Sequence, residues 1–272
     1  MIHVLSYEIA DVKEYINWSY FFHAWGFAHK YSTIADYTHD TSDVRRWINS
    51  FTGENERNCA EEAANLYKDA AELLAECNGK YKAYAKFGIF EANSNDDDII
   101  IYDENGKTTL PCLRQQTCEQ GTGICLCLAD YLRPVEEQGI KDRIGLFAAT
   151  VEESFENQHK EDNYRHMLCQ TLADRLAEAA TELAHLNIRK TYWGYAKEET
   201  HKAATIFREV PGNTTGYRLS FATRPKYNFH CRQTYRPFRD RYNNYRKRSH
   251  EAPRFYLRAD FRPPESQIFQ RR

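Results

Sequence analysis

Apolar residues recur at regular spacing along this chain only as far as about Glu209, and this change limits what the chain can fold into. The clearest regular segment covers residues 163–188, where leucine and alanine recur every three or four positions and form one apolar stripe. The stripe consists of Leu168, Leu172, Leu176, Ala179, Leu183 and Leu186. The stripe predicts a long amphipathic helix. Because regular apolar spacing ends at about Glu209, we expect the folded core to lie within residues 1–209.

The segment after Glu209 also differs in charge. Residues 1–209 carry 22 Lys and Arg against 35 Asp and Glu, a net charge of −13, whereas residues 210–272 carry 15 against 4, a net charge of +11. The second segment has 12 of the 34 Phe and Tyr residues but almost no Leu, Ile or Val. It therefore offers little apolar surface to offset the entropy of ordering, and we expect an irregular, disordered tail. Its basic and aromatic composition is typical of an arm that binds nucleic acid.

The first 209 residues mix helical and strand patterns. Three capping boxes predict helix starts: Asp11 with Glu14, for a helix that continues through Trp25, Asn58 with Glu61, and Thr150 with Glu153. Strands are predicted at residues 86–90, 99–102, 124–132 and 144–150. The sequence Asp103-Glu104-Asn105-Gly106 predicts a hairpin turn, because Asn-Gly tolerates positive φ. The mixture predicts an α+β fold.

Composition and spacing also bear on location and chemistry. No apolar run approaches the roughly 18–20 residues of a membrane span, and residues 1–15 lack the basic start and apolar stretch of a signal peptide. Eight cysteines in 272 residues are too sparse for a disulfide scaffold, so we expect a cytoplasmic protein with reduced thiols. The cysteine spacings lack the paired two-residue gaps of zinc sites, and the histidines have no partner nucleophile or carboxylate motif. We therefore predict no metal site and no catalytic residue.

Several short motifs follow one another between residues 5 and 209. The first is Tyr15-Ile16-Asn17-Trp18-Ser19-Tyr20-Phe21-Phe22, and later ones are Gly88-Ile89-Phe90-Glu91-Ala92-Asn93, Leu113-Arg114-Gln115-Gln116-Thr117 and Cys127-Leu128-Ala129-Asp130-Tyr131. The most diagnostic are Leu172-Ala173-Asp174-Arg175-Leu176-Ala177-Glu178-Ala179 and Arg189-Lys190-Thr191-Tyr192-Trp193-Gly194-Tyr195-Ala196. In this order, these motifs resemble the activation domain of cobalamin-dependent methionine synthase.

The resemblance implies a fold and a function. The family fold is a single domain in which helices pack on an antiparallel sheet. Its members bind S-adenosylmethionine and present it to a cobalamin held on a neighbouring domain, where an electron from a flavodoxin-type donor and the sulfonium methyl group reactivate Co(II) cobalamin. The resemblance thus implies a cobalamin-binding module and an electron donor as partners, with no nucleic acid and no membrane. Methyltransferase activity is expected only together with that module, not from this chain alone.

Three residues match family positions at the S-adenosylmethionine site. Asn17 stands where the family has an aspartate that contacts the ligand. The amide of Asn17 can still form hydrogen bonds, but it lacks the charge of the carboxylate. Alternatively, Asn17 is a neutral substitution in a helix with no role in binding. Glu178 matches a family carboxylate near the ligand, and it equally fits a solvated helix glutamate. Glu209 ends the last matching motif, Phe207-Arg208-Glu209. The resemblance therefore implies that Asn17, Glu178 and Glu209 are cofactor-binding residues.

The family motif that should follow Glu209, Arg-Pro-Ala with Gly-Tyr-Pro, is absent from this sequence. If Val210 onward is back-translated with free synonymous codons and read one nucleotide later, the shifted frame permits YQGIRPAIGYPSLPDQS and, further on, ENGAMKPPASISGLIFAHP. Both strings resemble the family, in the right order. The sequence therefore predicts two regions: an incomplete activation-like domain over residues 1–209 and an out-of-frame tail over residues 210–272. We expect S-adenosylmethionine binding to be impaired.

Two other functions stay open from the sequence. The first is a binding module in which an acidic globular body carries a basic, nucleic-acid-binding tail. The second is a scaffold that docks on the synthase without binding ligand. The frame-shifted match in residues 210–272 argues against the first, because it accounts for the charge asymmetry without a nucleic-acid partner.

Overall fold

The computed structural model describes residues 1–37, 40–104, 106–116, 125–135, 139–198 and 256–261. The chain divides into two compact units. We call Leu5–Ala85 with Ala149–Ala184 the helical unit, and Met1–Val4 with Lys86–Ala148 and His185–Arg272 the sheet unit. Helices and an antiparallel sheet are both present, so the predicted α+β class is confirmed.

The helical unit is built on long helices with buried apolar faces. The α-helices of the described residues are α1 (Ile9–Val12), α2 (Trp18–Ala24), α3 (Thr41–Asn49), α4 (Glu54–Cys77), α5 (Glu153–Glu156) and α6 (Asn163–Asn187). One buried cluster contains Ala63, Leu66, Ala70 and Leu73 of α4 together with Leu168, Leu172, Leu176 and Ala179 of α6. The helix predicted over residues 163–188 is therefore confirmed, and a π-helical turn, Ile188–Tyr192, follows it.

The first predicted helix start is wrong. α2 begins at Trp18, and its N-cap is Asn17, whose side chain accepts a hydrogen bond from the backbone of Tyr20. Asp11 belongs to a different capping box: it accepts from the backbone N–H of Glu8 at 3.1 Å, at the start of the short helix α1. Because several capping residues lie within a few positions here, the local spacing alone does not determine which one begins a helix.

Two other helix starts also differ. α4 begins one turn before the predicted Asn58, at Glu54 after Gly53. α5 begins at Glu153 with Glu152 as its N-cap, while Thr150 lies in a strand. Both shifts show the neighbouring structure overriding a weak local signal.

The strands of the described residues form one sheet. They are β1 (Ile2–Glu8), β2 (Lys82–Asn95), β3 (Asp98–Asp103), β4 (Gly106–Pro111), β5 (Asp142–Val151) and β6 (Tyr256–Phe261), in the order β4-β3-β2-β5-β6, with β1 paired to β2. β2, β3 and β4 pair antiparallel, and Asp103 pairs with Gly106 at the end of the β3–β4 hairpin. Gly106 has φ +123°, which explains the glycine at this turn. The hairpin and the strands predicted at 86–90, 99–102 and 144–150 are confirmed.

The strand predicted at residues 124–132 is wrong for the part that the structure describes. A 3-10 helix, Leu128–Tyr131, lies there instead, and the backbone N–H of Cys127 donates to Asp130 at 2.8 Å. Cys127, Leu128 and Leu132 are buried in the small core of the sheet unit. These apolar residues belong to a buried loop. Because a buried loop and a buried strand can have the same apolar composition, the sequence pattern did not distinguish them.

The prediction of an irregular tail is wrong for residues 256–261. These residues form β6, next to β5 in the sheet. The sequence has a period of two over this segment: Leu257, Ala259 and Phe261 alternate with Tyr256, Arg258 and Asp260. This alternation is the pattern of a short strand, and the low apolar content of the segment as a whole concealed it.

The expectation of reduced thiols is wrong at one position. Cys59, Cys77, Cys112, Cys127 and Cys169 are free, but Cys125 is disulfide-bonded. A low cysteine count excludes a scaffold of many disulfides, yet it does not exclude a single bridge. Within the described ranges, no helix combines the length and the apolar character needed to cross a membrane.

Candidate functional site

Glu178 lies on α6 beside the stripe that anchors this helix. Leu172, Leu176 and Ala179 are fully buried, so the orientation of α6 is fixed by its apolar face. On the flank of the stripe, the guanidinium of Arg175 contacts the Glu178 carboxylate at 2.7 Å, one helical turn apart. The two side chains are only 9% and 18% exposed. The predicted ligand carboxylate is therefore part of a nearly buried ion pair.

Asn17 lies just before α2 and acts as its N-cap. Its backbone is extended (φ −82°, ψ 93°), and its side-chain oxygen accepts from the backbone N–H of Tyr20 at 3.4 Å. An amide and a carboxylate cap a helix equally well, so an aspartate at this position would keep the same cap and add a negative charge.

Aromatic packing fixes α2 on the core of the helical unit. Phe21 and Phe22 are fully buried, and Trp18 meets Phe21 edge to face with ring centroids 5.3 Å apart. Trp18 also packs against Tyr67 of α4 at 4.7 Å. The N-terminus of α2, and with it Asn17, is thus held in a defined place on the unit.

Tyr20 and Arg175 connect the two predicted residues. The Arg175 guanidinium lies 5.8 Å from the centre of the Tyr20 ring, which is a cation–π distance. Tyr20 is three residues after Asn17, and Arg175 is three residues before Glu178. The structure therefore places Asn17 and Glu178 in one unit, linked through Tyr20 and Arg175.

The electrostatics of this cluster differ from those of a bare acidic site. Arg175 offsets the charge of Glu178, and Asn17 is neutral, so these three residues together carry no net charge. Arg175 is 7% exposed, and its Nε is buried without a hydrogen-bond partner among the described residues.

The third predicted residue, Glu209, lies outside the described residues. Sequence reasoning missed Tyr20 and Arg175. Arg175 has a local signal, because Arg and Glu three positions apart on a helix are neighbours. Tyr20 has none, because its contact with Arg175 spans more than 150 positions and depends on how the helices pack.

A second polar cluster lies in the sheet unit. Arg114 donates to Asp97 and Asp130, with closest distances of 2.7 Å to each, and to the carbonyl oxygen of Cys125 at 2.7 Å. The hydrogen bonds that Arg114 donates to Asp130 and, with a smaller effect, to Asp97 raise the pKa of Arg114 above its ordinary value. We call these residues the Arg114 clamp. It joins three separate segments, and two of its residues, Cys125 and Asp130, lie in the loop that replaces the predicted strand.

Groups of three or more His, Cys, Asp or Glu side chains suited to a metal ion do not occur in the part of the chain that the structure describes. The Asn17–Glu178 cluster offers polar and aromatic contacts for an organic ligand: an amide, a carboxylate, a guanidinium and a half-exposed tyrosine ring. Such a set can bind and orient a charged small molecule.

The chain is similar to one known protein family and to a solved structure. A family model described as the vitamin B12 dependent methionine synthase activation domain matches residues 8–217. A crystal structure of the MetH reactivation domain bound to AdoHcy is similar, with 26% sequence identity and a TM-score of 0.68. The similarity covers 98% of this chain and 80% of that one.

Proposed function

Because the chain belongs to the family of vitamin B12-dependent methionine synthase activation domains, we propose that it is an S-adenosylmethionine-binding module. In this role it supports reductive methylation of Co(II) cobalamin in methionine biosynthesis. The similar solved structure is bound to AdoHcy, which has the same adenosine and amino-acid parts as S-adenosylmethionine but lacks the methyl group and its positive charge. The ligand of that structure therefore supports an adenosyl amino acid as the class of ligand for this chain.

One observation carries the proposal: Asn17 and Glu178 lie in one unit and are linked through Tyr20 and Arg175. A nearly buried carboxylate suits a cationic sulfonium, because charges attract more strongly where water is scarce. The Tyr20 ring and the Asn17 amide can contact the adenosine and amino-acid parts of the ligand. The residues of this chain therefore bind and orient the methyl donor, and positioning is their main contribution.

The cobalamin belongs to a partner domain or chain, where it supplies the methyl-transfer chemistry. The proposal assigns none of the described residues to it. A flavodoxin-type protein is the proposed electron donor, and this chain is not active alone. The assembly is cytoplasmic, with no role for nucleic acid or membrane.

We further propose that ligand binding is impaired in this sequence. The domain ends functionally at about Glu209, and residues 210–272 are the out-of-frame product of what was a C-terminal half-site. The family arginine in that half-site would make a charge-assisted contact to the ligand carboxylate, typically about 1.5–3 kcal/mol. Since about 1.4 kcal/mol is tenfold in affinity, its loss weakens binding about ten- to a hundredfold.

Titration calorimetry tests binding and impairment together. The chain as it stands should give no saturable heat with micromolar S-adenosylmethionine, and a chain with the alternative frame restored after Glu209 should give it. Saturable binding by the unrepaired chain at micromolar ligand would contradict the impairment, and no binding after repair would contradict the function.

The nucleotide sequence tests the frame itself. Downstream of the Glu209 codon, the alternative frame should encode Arg-Pro-Ala and Gly-Tyr-Pro and should show codon-position bias. An early stop codon in that frame, or the absence of the motif, would refute the proposed shift.

A basic tail that binds nucleic acid is the second candidate, favoured by the net charge of +11 over residues 210–272. A gel-shift titration at several salt concentrations separates it from the first. Real phosphate contacts would give an affinity that falls steeply with salt, because each contact releases counterions. We expect no such binding.

A further inference from the structure

We propose that Arg175 is a positioning residue of this site: it fixes the Glu178 carboxylate, so that the carboxylate favours a sulfonium cation over the neutral thioether of the same ligand. The inference rests on the proposed function, and it concerns the specificity of that binding.

The first step is the geometry of the ion pair. Arg175 and Glu178 lie one turn apart on a 25-residue helix, with Nη1 and Oε2 at 2.7 Å. The side chains are 9% and 18% exposed, so solvent screens the pair weakly. The carboxylate is therefore held in one orientation instead of moving freely at the helix surface.

The second step is the contact with α2. The Tyr20 ring lies 5.8 Å from the Arg175 guanidinium, and Tyr20 itself is half exposed. The flanking Phe21 and Phe22 are fully buried, which fixes the backbone that carries Tyr20. A planar guanidinium can form an ion pair at its edge and stack on a ring with its face, whereas an ammonium group cannot do both in this way. Arg175 thus couples the carboxylate to the N-terminus of α2.

A matched pair on the surface shows what is special about this one. Arg46 and Asp43 of α3 have the same three-residue spacing and a distance of 3.0 Å, but Arg46 is 76% exposed. Exposed pairs of this kind contribute little and hold neither side chain firmly. The Arg46 pair is therefore the control for any general effect of removing an arginine from a helix.

The third step separates orientation from charge. The positive charge of Arg175 by itself disfavours a cationic ligand. If Arg175 acted through its charge, removing that charge would improve sulfonium binding, and Arg175→Lys would change nothing. If it acts by holding Glu178, Arg175→Lys should weaken sulfonium binding, because lysine keeps the charge and loses the fork and the stacking face.

The test is equilibrium dialysis at millimolar S-adenosylmethionine and, separately, S-adenosylhomocysteine, with the full chain. The readout is the ratio of the two dissociation constants, because a general loosening of the fold lowers both affinities alike. We expect the unmodified chain to prefer the sulfonium several-fold. Arg175→Lys and Glu178→Gln should each bring the ratio close to one, and Arg46→Lys should leave it unchanged.

A second pair of variants keeps the test valid if Arg175→Lys folds poorly. Tyr20 is half exposed, so Tyr20→Leu should fold. It should lower the ratio of the two dissociation constants, because it removes the ring that packs on the guanidinium. Tyr20→Phe keeps the ring and should keep the ratio of the unmodified chain. An unchanged ratio in Arg175→Lys and Tyr20→Leu, with ligand bound, would overturn the positioning role alone. No binding of either ligand by the unmodified chain at millimolar concentration would overturn this inference. The proposed function itself fails only if the chain with the alternative frame restored after Glu209 also binds neither ligand.

Discussion

The two units use the same kind of ion pair for different purposes. In the helical unit, Arg175 and Glu178 lie on one helix whose apolar stripe already fixes the backbone. In the sheet unit, Arg114 joins Asp97 and Asp130, which belong to segments that no long helix holds. The first pair therefore orients a side chain on a backbone that is already rigid, whereas the second pair helps to make its backbone segments rigid.

The buried cores explain this difference. The helical unit has one large cluster that includes the stripes of α4 and α6. The cluster of the sheet unit is smaller, with Ile99, Ile101 and Ile144 beside the loop that carries Asp130. Where less apolar surface is buried, polar contacts account for a larger share of local stability.

The largest effect that we expect tests the apolar core of the helical unit. Phe21 is fully buried, and its ring packs on Trp18, Phe22 and Trp25. Phe21→Ala removes this packing and leaves a cavity, so the free energy of unfolding should fall by about 3–5 kcal/mol in urea denaturation. Leu113→Ala, at a side chain that is 66% exposed, should change it by less than about 0.5 kcal/mol. Equal losses in the two variants would contradict the assigned core.

The next largest effect tests the Arg114 clamp. Arg114→Met removes the hydrogen bonds that Asp97, Asp130 and the Cys125 carbonyl accept from the guanidinium, so we expect a loss of about 1.5–3 kcal/mol. Amide exchange should accelerate at Cys127, whose N–H donates to Asp130. The amides of α6 should keep their protection.

Arg143→Met is the control for this prediction, since Arg143 is an exposed arginine of the same unit. It should leave both stability and exchange unchanged. If Arg114→Met accelerates amide exchange in α6 as much as in the loop at residues 125–132, then the Arg114 clamp does not act locally. That result would contradict the different roles assigned to the ion pairs of the two units.

The fold was predictable where the signal is local. The stripe from Leu168 to Leu186 predicted α6 almost to the residue, and the Asn-Gly pair at 105–106 predicted the β3–β4 hairpin. The strand predicted at residues 124–132 failed because a buried loop and a buried strand have the same apolar composition. The start of α2 failed because Asp11 and Asn17 are both good caps, and tertiary packing selects between them.

The candidate site was predictable only in part. Asn17 and Glu178 came from the family resemblance, and they lie in one unit. Arg175 was present in the same motif as Glu178, but its burial and its contact with Tyr20 depend on how α6 and α2 pack. A sequence gives residue types and spacing along one helix; it does not give the distance between side chains on two helices.

The two units also differ in the titration of their buried thiols. Burial, with a smaller effect of Cys127, raises the pKa of Cys112 in the sheet unit from 9.0 to about 12. The unfolded chain therefore releases this proton first, so the stability contributed by the protonated thiol is present below pH 9 and is lost as the pH rises towards 12. The slope should be at most about 1.4 kcal/mol per pH unit.

Urea denaturation at pH 8, 9 and 10 measures this slope. Cys112→Ala should make it shallower, and Cys59→Ala, at a half-buried thiol of the helical unit, is the matched control. Burial also raises the pKa of Cys169 in the helical unit, to about 11, so Cys169→Ala should reduce the slope over a narrower range of pH. A slope that neither buried thiol affects would show that the alkaline loss arises elsewhere.

The smallest expected effect concerns Asn17, and it asks whether this cap is also a ligand residue. Asn17→Asp keeps the N-cap, because asparagine and aspartate are about equally good there, so stability should change by less than about 0.5 kcal/mol. The added carboxylate should attract a cationic sulfonium and should raise the affinity for S-adenosylmethionine a few-fold, while the affinity for the neutral thioether stays the same. Asp40→Asn makes the reverse exchange at the N-cap of α3, where the side chain accepts from Ser42, and it should not change either affinity. If Asn17→Asp leaves the sulfonium affinity unchanged as well, then Asn17 serves the helix alone, and the binding residues of the helical unit reduce to Glu178 and the side chains that hold it.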